Sequence, residues 1–288
     1  MKVVLRKNLV FKNDYRSPKL SNTTVLVKIK ATALNPVDYK FGWPLFGPVI
    51  CTDFSGVIEE VGADVTGLSV GDEVYGWGDG ALAEYIVVPP NTVSLKPSCL
   101  TFAEAAALPV VYLTGLQAYL NYGGLKEGGR VLIIGASGGT GIAGIQLAKA
   151  LGASDIVGVC SGRNEELVKS LGATEVIDYT KHNLLDYFKE EDGSVAESKK
   201  FDVVYDVATG SGGGEDYLAL SRPLLREATD GTQHGQVSLK FFLYFHTIKP
   251  VALKSKSGCM GHFILLVLPN YIKCITILLA FKVRKECE

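Results

Sequence analysis

Arg130-Val131-Leu132-Ile133-Ile134 runs directly into Gly135-Ala136-Ser137-Gly138-Gly139-Thr140-Gly141 and then into an apolar stretch. An apolar strand, a glycine-rich turn and a helix, in that order, are the parts that hold the pyrophosphate of a dinucleotide. Gly138 would let backbone N–H groups approach the phosphates, and Gly141 would let helix and strand pack closely. The helix N-terminus then faces the negative charge. In the register Ala136-x-Gly138-x-x-Gly141, alanine stands where the fingerprint has its first glycine.

The next strand should end at Val159-Cys160-Ser161-Gly162-Arg163-Asn164. An acidic residue at this place would hold the ribose hydroxyls of NAD. Here Ser161 and Arg163 occupy it, and Glu165 comes only after the turn. A guanidinium matches phosphate geometry, so the 2′-phosphate of NADP is the better fit. The plainer reading of Arg163 is an exposed cation at a helix start.

Around this loop the pattern alternates: strand 131–134, helix 141–151, strand 156–159, helix 165–171, strand 175–177 and strand 201–205. Repeated strand–helix units with apolar strands imply an α/β domain with a parallel sheet covered on both faces. Upstream the texture is different. Residues 25–31 alternate at period two, and 55–61, 72–75 and 83–88 are further strand candidates among glycine-rich turns. Thr101-Phe102-Ala103-Glu104 is a capping-box signature opening a helix at 103–108, and Pro109 suits the boundary before a second helix at 111–121.

At 288 residues the chain is long enough for two domains. A net charge of -1 gives no electrostatic case for nucleic acid or anionic membrane. The six cysteines form no Cys-x-x-Cys pair and are scattered like the thiols of an intracellular protein. The N-terminus has no apolar run of secretory length, so a cytoplasmic location is expected. The apolar stretch 263–281 is interrupted by Pro269, Asn270 and Lys273. It reads as two buried segments, 263–268 and 275–281, with a membrane anchor as the lesser alternative.

Ala33-Leu34-Asn35-Pro36-Val37-Asp38-Tyr39-Lys40, Asp53-Phe54-Ser55-Gly56-Val57-Ile58, Val70-Gly71-Asp72-Glu73-Val74-Tyr75-Gly76 and the glycine loop follow one another along the chain. Together with 161–164, 168–173 and 176–179 they resemble the medium-chain dehydrogenases/reductases, in the zinc-free quinone oxidoreductase and enoyl-reductase branch. The resemblance covers residues 1 to about 235. It implies a GroES-like, β-rich catalytic domain and a Rossmann domain with a doubly wound parallel sheet, with NADPH in the cleft. The expected domains are 1–108, with 255–288 as a candidate completion, and 109–254. By the same resemblance, Asn35, Asp38 and Lys40 line the nicotinamide and substrate side, and Thr114 lies near the nicotinamide end. Ser137 to Thr140 hold the pyrophosphate, and Ser161, Arg163 and Asn164 the adenosine phosphate. Tyr179 lies by the adenine, and Val207-Ala208 follow a central strand at the cofactor edge.

The zinc-dependent relatives need Cys and His ligands early in the catalytic domain. This chain has Pro36-Val37-Asp38-Tyr39-Lys40 and Thr52-Asp53-Phe54-Ser55 there, and its four histidines stand at 182, 234, 246 and 262. No metal site is expected. Without a Lewis acid, alkoxide stabilisation is lost, whereas hydride transfer to a conjugated acceptor needs only orientation and a donor to the developing oxyanion. The expected activity is NADPH-dependent reduction of a quinone or an α,β-unsaturated carbonyl, a small-molecule partner, with a homodimer as an open arrangement. Lys40 or Tyr39 would bond the carbonyl, and the proton comes from Tyr39 or solvent. In the plainer readings Asn35 and Asp38 bond the backbone of a proline turn, Lys40 is a solvated cation, and Tyr39 and Trp43 are packing groups. After Gln236 the family pattern is lost. This raises the alternative of a weak or inactive NADPH-binding interaction protein, acting at a membrane through its tail.

Overall fold

A computed structural model describes residues 1–40, 46–209, 216–227 and 235–238, with the backbone alone for Lys40, Leu218, Gln236 and Ser238. The tail segments after 238, Trp43, and the histidines at 234, 246 and 262 lie outside the described residues. The described chain divides into two units between Leu113 and Thr114, rather than at the expected residue 108.

In the N-terminal unit, β-strands at 25–33 and 85–88 alternate more and less buried positions, whereas the strand at 53–61 begins with four buried residues in a row. A short hairpin, β1 (Val3–Leu5) and β2 (Val10–Lys12), precedes β3 (Val25–Ala33), the short helix α1 (Pro36–Lys40), β4 (Asp53–Val61), β5 (Glu73–Trp77), β6 (Tyr85–Val88) and β7 (Val93–Leu95). Strands β3 to β7 form one antiparallel sheet in the order β6-β3-β4-β5-β7. Val25, Val27, Phe54, Ile58, Val74, Ile86, Val88 and Val93 point into a single core. Period two with one wet face is what makes such strands readable in sequence, although β1, β2 and β7 are too short to show it. Helix α2 (Phe102–Ala106) begins with the expected capping box: Thr101 Oγ1 accepts from the Glu104 amide, and the Glu104 carboxylate accepts from the Thr101 amide. Helix α3 (Pro109–Gln117) follows and widens into a π turn over Ala118–Gly123, ended by Gly124 in the left-handed region.

The second unit holds β8 (Arg130–Ile134), α4 (Gly139–Ala150), β9 (Asp155–Cys160), α5 (Glu165–Leu171), β10 (Glu175–Asp178), α6 (Leu184–Phe188), β11 (Val203–Asp206), α7 (Tyr217–Ser221) and β12 (Gly235–Ser238). Among the described residues its five strands are all parallel, in the order β10-β9-β8-β11-β12. Val131, Leu132, Ile133 and Ile134 are all fully buried, which explains why this strand reads as a continuous apolar run. The chain winds from β8 towards β10 and then crosses back to β11. The order therefore reverses beside β8, and the carboxyl ends of β8 and β11 flank a topological switch point, where ligands of open α/β sheets bind. Among the described residues no helix is long and apolar enough to cross a membrane.

Candidate functional site

The glycine loop leaves β8 at this switch point. Gly135 adopts φ 86°, a left-handed conformation that suits glycine, and so makes the sharp turn. The turn is thus made one residue before the alanine that stands in the fingerprint's first position. Ala136 is fully buried, and its methyl occupies room left by Gly158 of β9: a β-carbon built on Gly158 would lie 3.0 Å from it. Gly141 is fixed by packing, because a β-carbon there would lie 2.2 Å from the Gly135 carbonyl oxygen. Gly138 is different. Among the described residues a β-carbon on it would meet only the Gly135 oxygen, at an ordinary 3.4 Å, so their packing does not call for glycine at 138. Helix α4 starts at this point with Gly138 as N-cap and no side-chain cap on its first-turn amides.

Two further segments join the loop. Val207 donates its amide to Ile134, and Val207 and Ala208 pack on the turn at 3.1 and 3.2 Å from where a Gly135 β-carbon would stand. The buried Asp206 carboxylate shapes this corner by accepting from the Ala208 and Thr209 amides, at 3.0 and 2.9 Å. On the other side, Asn164 Nδ2 donates to Ser137 Oγ at 3.1 Å and to Ser161 Oγ at 3.2 Å, tying the glycine loop to the end of β9. Arg163 in that turn is exposed and makes no hydrogen bond or ion pair to the described residues. Tyr179, after β10, is half exposed, with its amide bonded to Cys160. The structure therefore gathers Ser137–Gly141, Ser161, Arg163, Asn164, Val207 and Ala208 at one sheet edge, with Tyr179 following the adjacent strand. Thr114 is buried in α3.

Of the residues expected on the substrate side, Asn35 and Asp38 lie in the N-terminal unit and join a buried polar network. Asn35 precedes α1, and its amide donates to Asp38 Oδ2 at 2.7 Å, while the Asp38 amide donates back to the Asn35 carbonyl. The Asn35 side chain turns inward and donates to Asp53 Oδ2 at 2.9 Å. The Asp53 carboxylate also accepts from the Val110 amide in the first turn of α3, at 3.1 and 3.3 Å. Asp38 and Asp53 are 1% and 0% exposed. Burial raises the pKa of both above the ordinary carboxylate value, Asp53 most strongly, although Asn35 and the Val110 amide oppose the shift at Asp53. Arg6, its guanidinium almost enclosed, donates to the Asp38 carbonyl and reaches Asp79. Tyr39 is 66% exposed, and only the backbone of Lys40 is described.

Arg6, Asp53 and the Val110 amide were not among the site residues expected from sequence. Asp53 lay inside one of the family motifs, and an acid beside the apolar Phe54 at the start of its strand was the available signal. Among the described residues, no three His, Cys, Asp or Glu side chains cluster to hold a metal ion.

Residues 21–98 match the family model of the alcohol dehydrogenase GroES-like domain, and residues 139–247 that of the zinc-binding dehydrogenases. The chain is 41% identical over 218 residues to the 2-methylene-furan-3-one reductase of Solanum lycopersicum, covering 69% of this chain and 53% of that protein. It is 42% identical to the mitochondrial NAD(P)H oxidoreductase RTN4IP1 of Bos taurus, covering 63% of this chain and 47% of the relative. It thus spans about half the length of these curated relatives. Among solved structures, the quinone oxidoreductase of Coxiella burnetii superposes with a TM-score of 0.63 at 33% identity, covering 73% of this chain and 69% of that one. The Escherichia coli quinone oxidoreductase complexed with NADPH superposes with the same score at 25% identity, over 78% and 69% of the two chains. With both domain types in sequence order and these likenesses across them, the chain belongs to the medium-chain dehydrogenase/reductase superfamily, in its quinone oxidoreductase and enoyl-reductase-like branch.

Proposed function

We propose that the protein is a zinc-independent oxidoreductase that uses NADPH to reduce a quinone or an α,β-unsaturated carbonyl. The observation that carries the cofactor choice is Arg163: an exposed guanidinium with no partner among the described residues, at the strand end where an NAD enzyme has an acid. The relatives' names support the acceptor class, since they include quinone oxidoreductases and an NADPH-dependent alkenal/one oxidoreductase.

The fit of the loop to a dinucleotide rests on Gly138, which is open where a side chain would stand, and on the uncapped first turn of α4. Ser137 and the amides of Gly139 and Thr140 would hold the pyrophosphate, and Ser161, Arg163 and Asn164 the 2′-phosphate. Bound NADPH supplies the hydride. The chain's part is to orient the acceptor and to bond the oxygen on which charge develops. Tyr39 is the exposed hydroxyl available for that bond, with Lys40 beside it in sequence. Asn35 and Asp38 act beneath them, fixing the backbone of α1. Where the zinc-dependent relatives carry Cys and His ligands, this chain has Pro36-Val37-Asp38-Tyr39-Lys40, which supports the zinc-free reading.

The test is NADPH consumption against a panel of quinones and enones, repeated with NADH, with Arg163→Ala and after treatment with a chelator. The expected outcome is preference for NADPH, a loss of about ten- to a hundredfold in NADPH kcat/KM for Arg163→Ala, and indifference to the chelator. Equal use of both cofactors by the wild type would sink the phosphate assignment. NADPH binding without turnover on any acceptor would replace the reductase with an NADPH-binding protein.

A further inference from the structure

The turn that carries Ser161 and Arg163 rests on a carboxylate. Asp178 is the last residue of β10, in register with Cys160, the last residue of β9. Its side chain is 12% exposed and points under the turn. Oδ1 accepts from Thr180 Oγ1 at 2.7 Å and from the Thr180 amide at 3.0 Å. Oδ2 lies against Gly162, where a β-carbon would come within 2.4 Å of it. Gly162 is not among the residues with positive φ, so its backbone conformation does not call for glycine. The room taken by Asp178 does. The Thr180 hydroxyl, with the Thr180 and Gly162 amides, holds the pKa of Asp178 below the ordinary value. Lys181 Nζ lies 3.6 Å from Oδ2.

A carboxylate beside a site for a doubly charged phosphate would repel it if its charge were uncompensated. Here three N–H or O–H donors and an ammonium share that charge, which leaves the geometric effect. We infer that Asp178 is a positioning residue for cofactor choice: it clamps the Gly162 amide, and so sets Ser161 and Arg163 where a 2′-phosphate is bonded. The described contacts of its side chain are with Gly162, Thr180 and Lys181, and none is with the glycine loop. Its effect therefore falls on the ratio of NADPH to NADH affinity rather than on both affinities together. This rests on the NADPH reading given above.

The experiment is direct binding of NADPH and of NADH to the full chain, followed by nicotinamide fluorescence, for the wild type, Asp178→Ala, Asp178→Asn, Gly162→Ala and the double variant. Asp178→Ala should weaken NADPH about tenfold while NADH changes by less than about threefold. Asp178→Asn, which keeps one acceptor oxygen, should lie between it and the wild type. Gly162→Ala drives a methyl into the carboxylate and should reduce the ratio to a similar degree. In the Asp178→Ala background the same methyl meets no carboxylate, so the double variant should be no worse than Asp178→Ala alone. Tighter NADPH binding by Asp178→Ala would show that repulsion dominates and overturn the inference. Equal weakening of both cofactors would also overturn it, by reducing Asp178 to a general structural part. A wild type without preference would overturn the NADPH reading and this inference with it, whereas a preference left intact in Asp178→Ala overturns this inference alone.

Discussion

The two candidate regions are built from different materials. The dinucleotide region is made mostly of backbone: a turn at Gly135, a bare approach at Gly138 and a close crossing at Gly141. The region around α1 is made of side chains, with the buried Asn35, Asp38 and Asp53 exchanging hydrogen bonds and the partly buried Arg6 donating to the Asp38 carbonyl. A backbone site tolerates no added atom, whereas a buried side-chain network tolerates no missing partner. Substitutions should therefore break the two regions in opposite ways.

The largest effect is expected where an atom is added. Gly141→Ala puts a β-carbon 2.2 Å from the Gly135 oxygen and 2.8 Å from Ala136 backbone atoms. Backbone on both sides cannot yield by a rotamer change, so a loss of about 3 kcal/mol is expected, with NADPH binding abolished. Thermal unfolding and cofactor titration would measure both. A variant with wild-type stability would show that the loop is slack and the comparison misdrawn.

Removing a partner comes next. Asp53→Leu leaves the Asn35 amide and the Val110 amide without their acceptor in a dry interior, at a cost of roughly 2 kcal/mol. Because Asn35 opens α1 and Val110 opens α3, the loss should appear as faster hydrogen exchange in both helices, while β8 and α4 keep their protection. Uniform loosening across the chain would contradict this. A smaller effect tests the pairing of Ala136 with Gly158. Gly158→Ala should cost about 1.5 kcal/mol by overpacking against Ala136 and Val168, and Ala136→Gly in the same chain should recover part of it. No recovery would assign the cost to Val168 alone.

The same contrast explains what the sequence disclosed. The parallel sheet was legible because β8 is buried on both faces and reads as a continuous apolar run, and the glycine loop because its parts are adjacent in sequence. The Thr101–Glu104 cap was legible for the same reason. The turn at Gly135 was not legible, since positive φ belongs to the backbone, and alanine at 136 answers to Gly158, 22 positions away. The network under α1 was half legible. Asn35 and Asp38 are neighbours and were singled out, but Arg6, Asp53 and Val110 are joined to them only by the fold. Helix α3 was expected at 111–121, because the π turn after Gln117 keeps helical periodicity while changing the hydrogen-bond pattern.

The subtlest test of the comparison is the sign of the pH dependence. Asp38 and Asp53 have pKa values raised by burial, with Asp38 facing Arg6, Asp79 and Cys51, the last itself pushed up to about 12. Between the ordinary carboxylate value of 3.8 and their raised values, the folded chain retains protons that the unfolded chain has released. Stability of the N-terminal unit should therefore fall as pH rises through that window, by at most about 1.4 kcal/mol per pH unit for each group. Asp178 is shifted the other way by its donors, so its contribution is present above 3.8 and is lost as pH falls through its lowered value. Asp53→Asn should flatten the decline on the alkaline side, and Asp178→Asn the loss on the acid side. Segment-resolved hydrogen exchange between pH 3 and 8 can separate the two, after correction for the intrinsic pH dependence of exchange. An unchanged slope in Asp53→Asn would mean that the Asn35 and Val110 donors outweigh burial and that Asp53 is held ionised. The network would then be a charged clamp of the same kind as Asp178, and the contrast between the two regions would lie in their architecture rather than in their charge.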